Sequence, residues 1–203
     1  HPEFKEQRRK VLTAKYNQYF VIDSGSERQT LGRGNQILEM NEHPNVKMGS
    51  TTDKQGYVSM HKCVGFCKVD SVDGPVILRL NHSITYSNDE RDNNPESLLC
   101  VNQSRDFGIR IEKKAHKFGG AQCMVIPDAD GCKIIIPFKY YMGLTIMPHS
   151  FPSPEDLEKY LIIDVSDPGK EWLPRQEEEE DFDLDKALEH LDIKDLQDDL
   201  CQE

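Results

Sequence analysis

No apolar run in the 203 residues approaches the roughly 20 positions that a membrane-crossing helix needs. The N-terminal stretch is polar and has no apolar core of the signal-peptide kind. A membrane partner is therefore not expected. The six cysteines (63, 67, 100, 123, 132 and 201) contain no paired Cys-x-x-Cys unit, which argues against both a zinc module and a dense disulfide scaffold. His61, Cys63 and Cys67 are close in sequence, but alternate positions on a strand account for them better than metal ligation does. No metal and no other cofactor is expected. Reduced thiols in an intracellular compartment, cytoplasmic or nuclear, are the expectation.

The chain also lacks excess positive charge. Its net charge of -11 sits entirely in the last segment, where Glu177–Glu203 holds 13 of the 36 acids and only Lys186 and Lys194 of the 25 bases. Residues 1–176 thus carry 23 charges of each sign, a balance that gives nucleic-acid binding no support. Within the acidic tail, Leu184, Leu188, Leu191, Leu196 and Leu200 recur at near-helical spacing, with aspartates on the other face. An amphipathic helix over 182–200 is expected, and its leucine stripe needs a protein partner, either the body or another chain. Its acids are read as a solvated face.

Four regions follow: a basic lead-in over 1–17, mobile or weakly helical, a β domain over 18–150, a short helix and linker over 151–176, and the acidic tail over 177–203. Between Val46 and Tyr86 the pattern is β throughout, with a polar turn at 49–56. Asp73-Gly74 between apolar runs signals a second hairpin. Ser97–Cys100 reads as a buried strand that leads into a short helical turn and a glycine stop at Gly108. Asp128-Ala129-Asp130-Gly131 lies between Cys123–Ile126 and Lys133–Ile136, another hairpin. Ser153-Pro154-Glu155-Asp156 combines a cap residue, proline at the first helical position and early acids, so a helix is predicted to about Leu161.

One stretch organises the rest. Tyr19-Phe20-Val21-Ile22 reads as a buried strand that delivers Asp23, Ser24 and Gly25 in succession. A carboxylate at a strand end is costly unless it is paired or used. An Asx turn closing the strand is the plain alternative.

With the polar hairpin tip at Lys54-Gln55-Gly56 and the segment Leu98-Leu99-Cys100 ahead of Gln103 and Phe107-Gly108, this order resembles retroviral-type aspartic proteases. The Leu-Leu-x-x-x-Gln form is closest to the protease region of Copia-type retrotransposon polyproteins, where a hairpin and a Gly-Leu element, here Gly143-Leu144, follow. The resemblance covers roughly residues 16–150. It implies a retropepsin-like closed β-barrel or sandwich of hairpins with a short helix. It also implies catalysis by Asp23, with Ser24 and Gly25 completing the triplet. Lys54, Gln55 and Gly56 become a substrate-binding flap, and Leu98, Leu99 and Cys100 the second motif supporting the active site. Two departures stand out. Cys100 replaces a glycine and is expected to crowd the packing against the active-site loop, and Ser26 replaces the usual alanine.

Hydrolysis of this kind uses two carboxylates that share one proton and activate a water between them. The chain offers one Asp-Ser-Gly, and 128–131 reads as a turn rather than a second lobe. The expected enzyme is a symmetric homodimer with one Asp23 from each subunit, cutting a polyprotein. Two alternatives stay open. One is a catalytically inactive module of the same fold, used for assembly or partner binding through the acidic helix. The other is a β-rich structural domain in which Asp23 is exposed and the second motif does not pack behind it.

Overall fold

The computed structural model describes residues 2–49, 57–87, 96–127, 133–170 and 172. The expected flap tip, Lys54, Gln55 and Gly56, lies outside the described residues, as do the turn at 128–131 and the acidic helix over 182–200.

The fold is mostly β. The strands are β1 (Tyr19–Asp23), β2 (Thr30–Leu31), β3 (Gln36–Met40), β4 (Val46–Gly49), β5 (Tyr57–Ser71), β6 (Gly74–Thr85) and β7 (Glu96–Cys100), then β8 (Arg110–Glu112), β9 (Cys123–Pro127), β10 (Lys133–Pro137), β11 (Lys139–Tyr141), β12 (Leu144–Pro148) and β13 (Ile162–Asp164). The helices are α1 (Pro2–Tyr16), α2 (Val101–Asp106) and α3 (Pro154–Lys159), with a 3-10 turn at His116–Phe118.

Local chemistry places the hairpins. Asp73-Gly74 turns β5 into β6, and Gly74 takes φ +123°, a left-handed value that glycine tolerates. Gly143 at φ +80° closes the β11–β12 hairpin in the same way. In β5, a bulge between Cys63 and Gly65 brings the backbone close to its neighbours. A Cβ at Gly65 would come within 2.5 Å of Leu31 Cδ1 and 3.1 Å of the Gln36 carbonyl, so this glycine answers to packing. α3 begins with the predicted cap: Ser153 Oγ accepts from Asp156 N, and the Asp156 carboxylate accepts from Ser153 N, a reciprocal capping box.

Ten strands form one sheet in the order β11-β12-β1-β7-β2-β6-β5-β3, with β13 on β6 and β4 on β5. β8, β9 and β10 form a second sheet. The main core lies between them, with Phe20, Leu31, Leu78, Leu80, Leu99, Met124 and Met147 all buried within it.

Two expectations are corrected, the closed barrel and the linker, and a third, the mobile or weakly helical lead-in, is narrowed. The large sheet is an open path and does not close into a barrel, because its end strands β11 and β3 do not pair. Near β11, α1 packs instead of another strand. Tyr16 meets the Tyr141 ring edge-on at 6.0 Å, and the Lys15 ammonium lies 4.2 Å from that ring's centre. The basic lead-in is accordingly a helix. Leu12 is fully buried with Tyr19 and Ile146 in a second, smaller core. Finally, the segment read as a linker after 164 packs on the body: Val165, Ser166 and Trp172 are buried, and Val165 N donates to the Arg79 carbonyl.

Candidate active site

The strand that carries Asp23 is paired on both sides. β12 runs antiparallel to β1, and β7 runs parallel to it, with Val21 opposite Leu98, Ile22 opposite Leu99 and Asp23 opposite Cys100. β7 is in turn antiparallel to β2 at Thr30–Leu98. β1 and β2, joined by residues 24–29, therefore flank β7, and β7 runs straight into α2. The two sequence motifs end side by side. Leu99 and Cys100 are fully buried behind the turn, and Leu98 is half-buried.

Asp23 is half-buried at the strand end, while Ser24 and Gly25 are exposed. The Asp23 carboxylate accepts the Gly25 N–H at 2.8 Å, an Asx turn of the kind that closes many strands. Gly25 has room within its own chain. A Cβ there would meet nothing nearer than Asp23 Oδ1 at 3.5 Å, which is ordinary contact.

The backbone after the turn is held at several points by distant side chains. Cys100 Sγ donates to the Ser26 carbonyl and accepts the Gln103 N–H, capping α2 as it does so. Cys100 was expected to crowd this loop. Instead its thiol fills the space and bonds on both sides. Burial pushes the Cys100 thiol pKa up. The Gln103 and Asn102 N–H groups oppose that shift, and the nearby Asp23 charge adds to it. The thiol thus stays protonated and able to donate.

Gln103 is fully buried and bonds at both ends of its amide. Its Oε1 accepts from Gln29 N at 2.8 Å, and its Nε2 donates to the His82 carbonyl at 3.0 Å. Trp172 Nε1 donates to the Glu27 carbonyl at 2.9 Å. Ser26 Oγ donates to the Arg28 carbonyl at 2.6 Å, and Ile84 N to the Gln29 carbonyl. Asn102 Nδ2 reaches the Ser24 carbonyl only at 3.5 Å. The carbonyls of residues 26–29 and the N–H groups of Gly25 and Gln29 are thus engaged, which holds the loop to the body.

Neither a family model, nor a curated protein, nor a solved structure matches this chain.

Of the candidate residues, Asp23, Ser24 and Gly25 come together with Leu98, Leu99 and Cys100. Lys54, Gln55 and Gly56 belong to the segment 50–56 between the paired strands β4 and β5 and lie outside the described residues. Sequence reasoning passed over Gln103 and Trp172 as loop-holding residues. The Leu-Leu-x-x-x-Gln spacing pointed at Gln103, whereas Trp172 carries no local signal. His61 is bonded through Nδ1 to the Asn41 carbonyl. Among the described residues, no group of three or more His, Cys, Asp or Glu gathers in a metal-binding arrangement, and no helix is long and apolar enough to cross a membrane.

Chemically, the site offers one carboxylate per chain on a braced, solvent-reachable turn. Such a group can accept a proton from water. Acid–base work on a peptide bond needs a second group opposite it.

Proposed function

We propose that the chain is a retropepsin-like aspartic endopeptidase from the polyprotein of a Copia-type retroelement, working inside the cell as a homodimer. The observation that carries this reading is the parallel pairing of β1 with β7, which sets Asp23 against Cys100, with β2 returning on the far side of β7. A turn that merely ends a strand needs no such support. Here Cys100, Gln103 and Trp172 fix the loop after Asp23 by side-chain bonds from positions 74 to 145 residues away.

The proposed mechanism places two Asp23 carboxylates on a two-fold axis, sharing one proton. Like charges about 3 Å apart raise one pKa and lower the other, and the pair titrates as a unit. The ionised member takes a proton from water, and the neutral member polarises the scissile carbonyl. Ser24 braces the two loops across the axis. Gly25 keeps that approach free of side chains, a need that arises outside its own subunit, since the single chain leaves space there. Lys54, Gln55 and Gly56 close over the peptide and exclude water.

The test is cleavage of a peptide library by wild type and Asp23→Asn, with pepstatin-like inhibition and sedimentation to give the oligomeric state. Cleavage lost in the variant, with fold and dimer intact, supports the reading; retained cleavage sinks it. A second reading, an inactive assembly module acting through 182–200, draws on the Asx bond that already engages Asp23. It predicts that deleting 177–203 abolishes partner capture while Asp23→Asn changes nothing.

A further inference from the structure

The stretch that follows β13 is fastened to the body at two places of different strength. The inner fastening is dense. Asp164 takes a two-pronged ion pair from Arg79 and a bond from Asn81 Nδ2, which also donates to the Ser166 carbonyl. Val165 and Ser166 are buried there, and His82 Nε2 adds a bond to the Asp167 carbonyl at 2.8 Å. Residues 167–170 then run exposed. Beyond them the outer fastening is lighter. The Trp172 ring is 6% exposed, lies 6.2 Å from the Phe107 ring at the end of α2, and donates from Nε1 to the Glu27 carbonyl at 2.9 Å. The Lys170 ammonium, 5.8 Å from the same Phe107 ring, adds a weak contact. Glu27 stands four residues beyond Asp23, within the loop 24–29.

We propose that residues 167–172 form a latch on the Asp23 loop that opens without unfolding the body, and that Trp172 is a positioning residue for the reaction, acting through Glu27. The inference rests on the protease reading above for its reaction, though not for its mechanics. Opening bares one large side chain and breaks one bond to the loop while the inner fastening stays shut. Local openings of that size cost far less than global unfolding. The hinge is written in Pro168-Gly169, which interrupts regular structure between the two fastenings. Release frees the Glu27 carbonyl, and the other distant ties lie on either side of it, Cys100 on Ser26 and Gln103 on Gln29. The loop is then held at its flanks but not at its middle, and Asp23 loses part of its fixed geometry. A shift of about 1 Å at a catalytic group can slow the chemical step by as much as 100-fold. The catalytic unit thus extends past the 16–150 that the family resemblance covers.

Trp172 is the only tryptophan, so its fluorescence reports the latch in the full chain. Under rising urea the wild-type emission is expected to shift to the red before the far-ultraviolet dichroism of the sheets changes. A single shared transition overturns the latch. Hydrogen exchange read by mass spectrometry then asks whether the latch holds the loop. In full-length Trp172→Ala, peptides covering 24–31 should exchange about tenfold faster than in wild type, with β8 and β9 unchanged. Trp172→Phe keeps a ring but has no N–H to give Glu27, so it should fall between the two, and it keeps the test open if the alanine variant folds poorly. Loop exchange unchanged in both variants, or faster to the same degree throughout the body, overturns the proposal. Cleavage is read as kcat per folded chain. It should fall about tenfold in Trp172→Ala and less in Trp172→Phe, with KM within about twofold of wild type. Equal kcat in the variants and an active wild type overturns the positioning role and leaves the protease reading standing. Faster loop exchange in the variants of a chain whose wild type cuts nothing supports the latch and overturns the protease reading.

Discussion

The Cys100 thiol lies between the Ser26 carbonyl and the Gln103 amide, fully buried one residue past the Leu98-Leu99 pair. Glycine here, as the resembling family has it, would remove both bonds and open a void. Cys100→Gly is therefore expected to lose about 2–3 kcal/mol of stability, and Cys100→Ser, which keeps a donor and an acceptor, clearly less. Urea unfolding of the pair checks the order; equal midpoints would mean the sulfur contributes nothing. Gln103→Leu deletes both bonds of a buried amide and strands Gln29 N and the His82 carbonyl, a loss of about 2–4 kcal/mol. Gly25→Ala reads the other way. With no clash inside the chain, its melting temperature should stay within the range of a neutral surface change, while cleavage disappears if the glycine faces a second subunit. A melting temperature that falls with activity would place the constraint inside the fold instead.

Among the elements, legibility tracks how local the signal is. The β5–β6 turn was written in Asp73-Gly74 and the start of α3 in Ser153-Pro154, since each is decided by neighbours in sequence. Ser153→Ala is accordingly expected to cost about 1 kcal/mol. The pairing of β1 with β7 joins residues about 77 apart, so no local pattern could reveal it; only the order of the motifs suggested it. The same holds for the stretch after β13. Its prolines and glycine read as a linker, but Asn81 Nδ2 donates to the Ser166 carbonyl and Trp172 to the Glu27 carbonyl. α1 read only as mobile or weakly helical, because one buried leucine on a charged helix leaves a faint pattern. Leu12→Ala should cost about 2–4 kcal/mol, because Leu12 fills the pocket formed with Tyr19 and Ile146. Thermal denaturation decides this. An unchanged midpoint would mean the helix is ornamental to the fold.

The stability of the whole molecule should depend on pH in a way set largely by His149. Its ring is buried against Phe20, with centroids 4.6 Å apart, and neither ring nitrogen has a hydrogen-bond partner. Burial without a partner disfavours the imidazolium and lowers the pKa from near 6.5 to about 3. Above pH 6.5 both folded and unfolded chains carry this ring neutral, so its full contribution is present. As pH falls from 6.5 towards 3 the unfolded chain takes up a proton that the folded chain refuses, and stability declines by up to about 1.4 kcal/mol per pH unit. Asp164, held low by Arg79 and Asn81 against its burial, adds a further loss only below the ordinary carboxylate range. On the alkaline side, burial raises Cys67, so stability falls once an unfolded thiol would ionise, above about pH 8.5. The fold should therefore be most stable between roughly pH 6.5 and 8.5, whereas a carboxylate pair sharing one proton works towards lower pH. Activity at acid pH would then be limited by unfolding as well as by chemistry. His149→Phe keeps a ring against Phe20 and removes the titration. Its urea midpoint should stay flat from pH 6.5 down to about 4.5, while the wild-type midpoint falls. Parallel slopes in the two proteins would show that the acid sensitivity arises elsewhere.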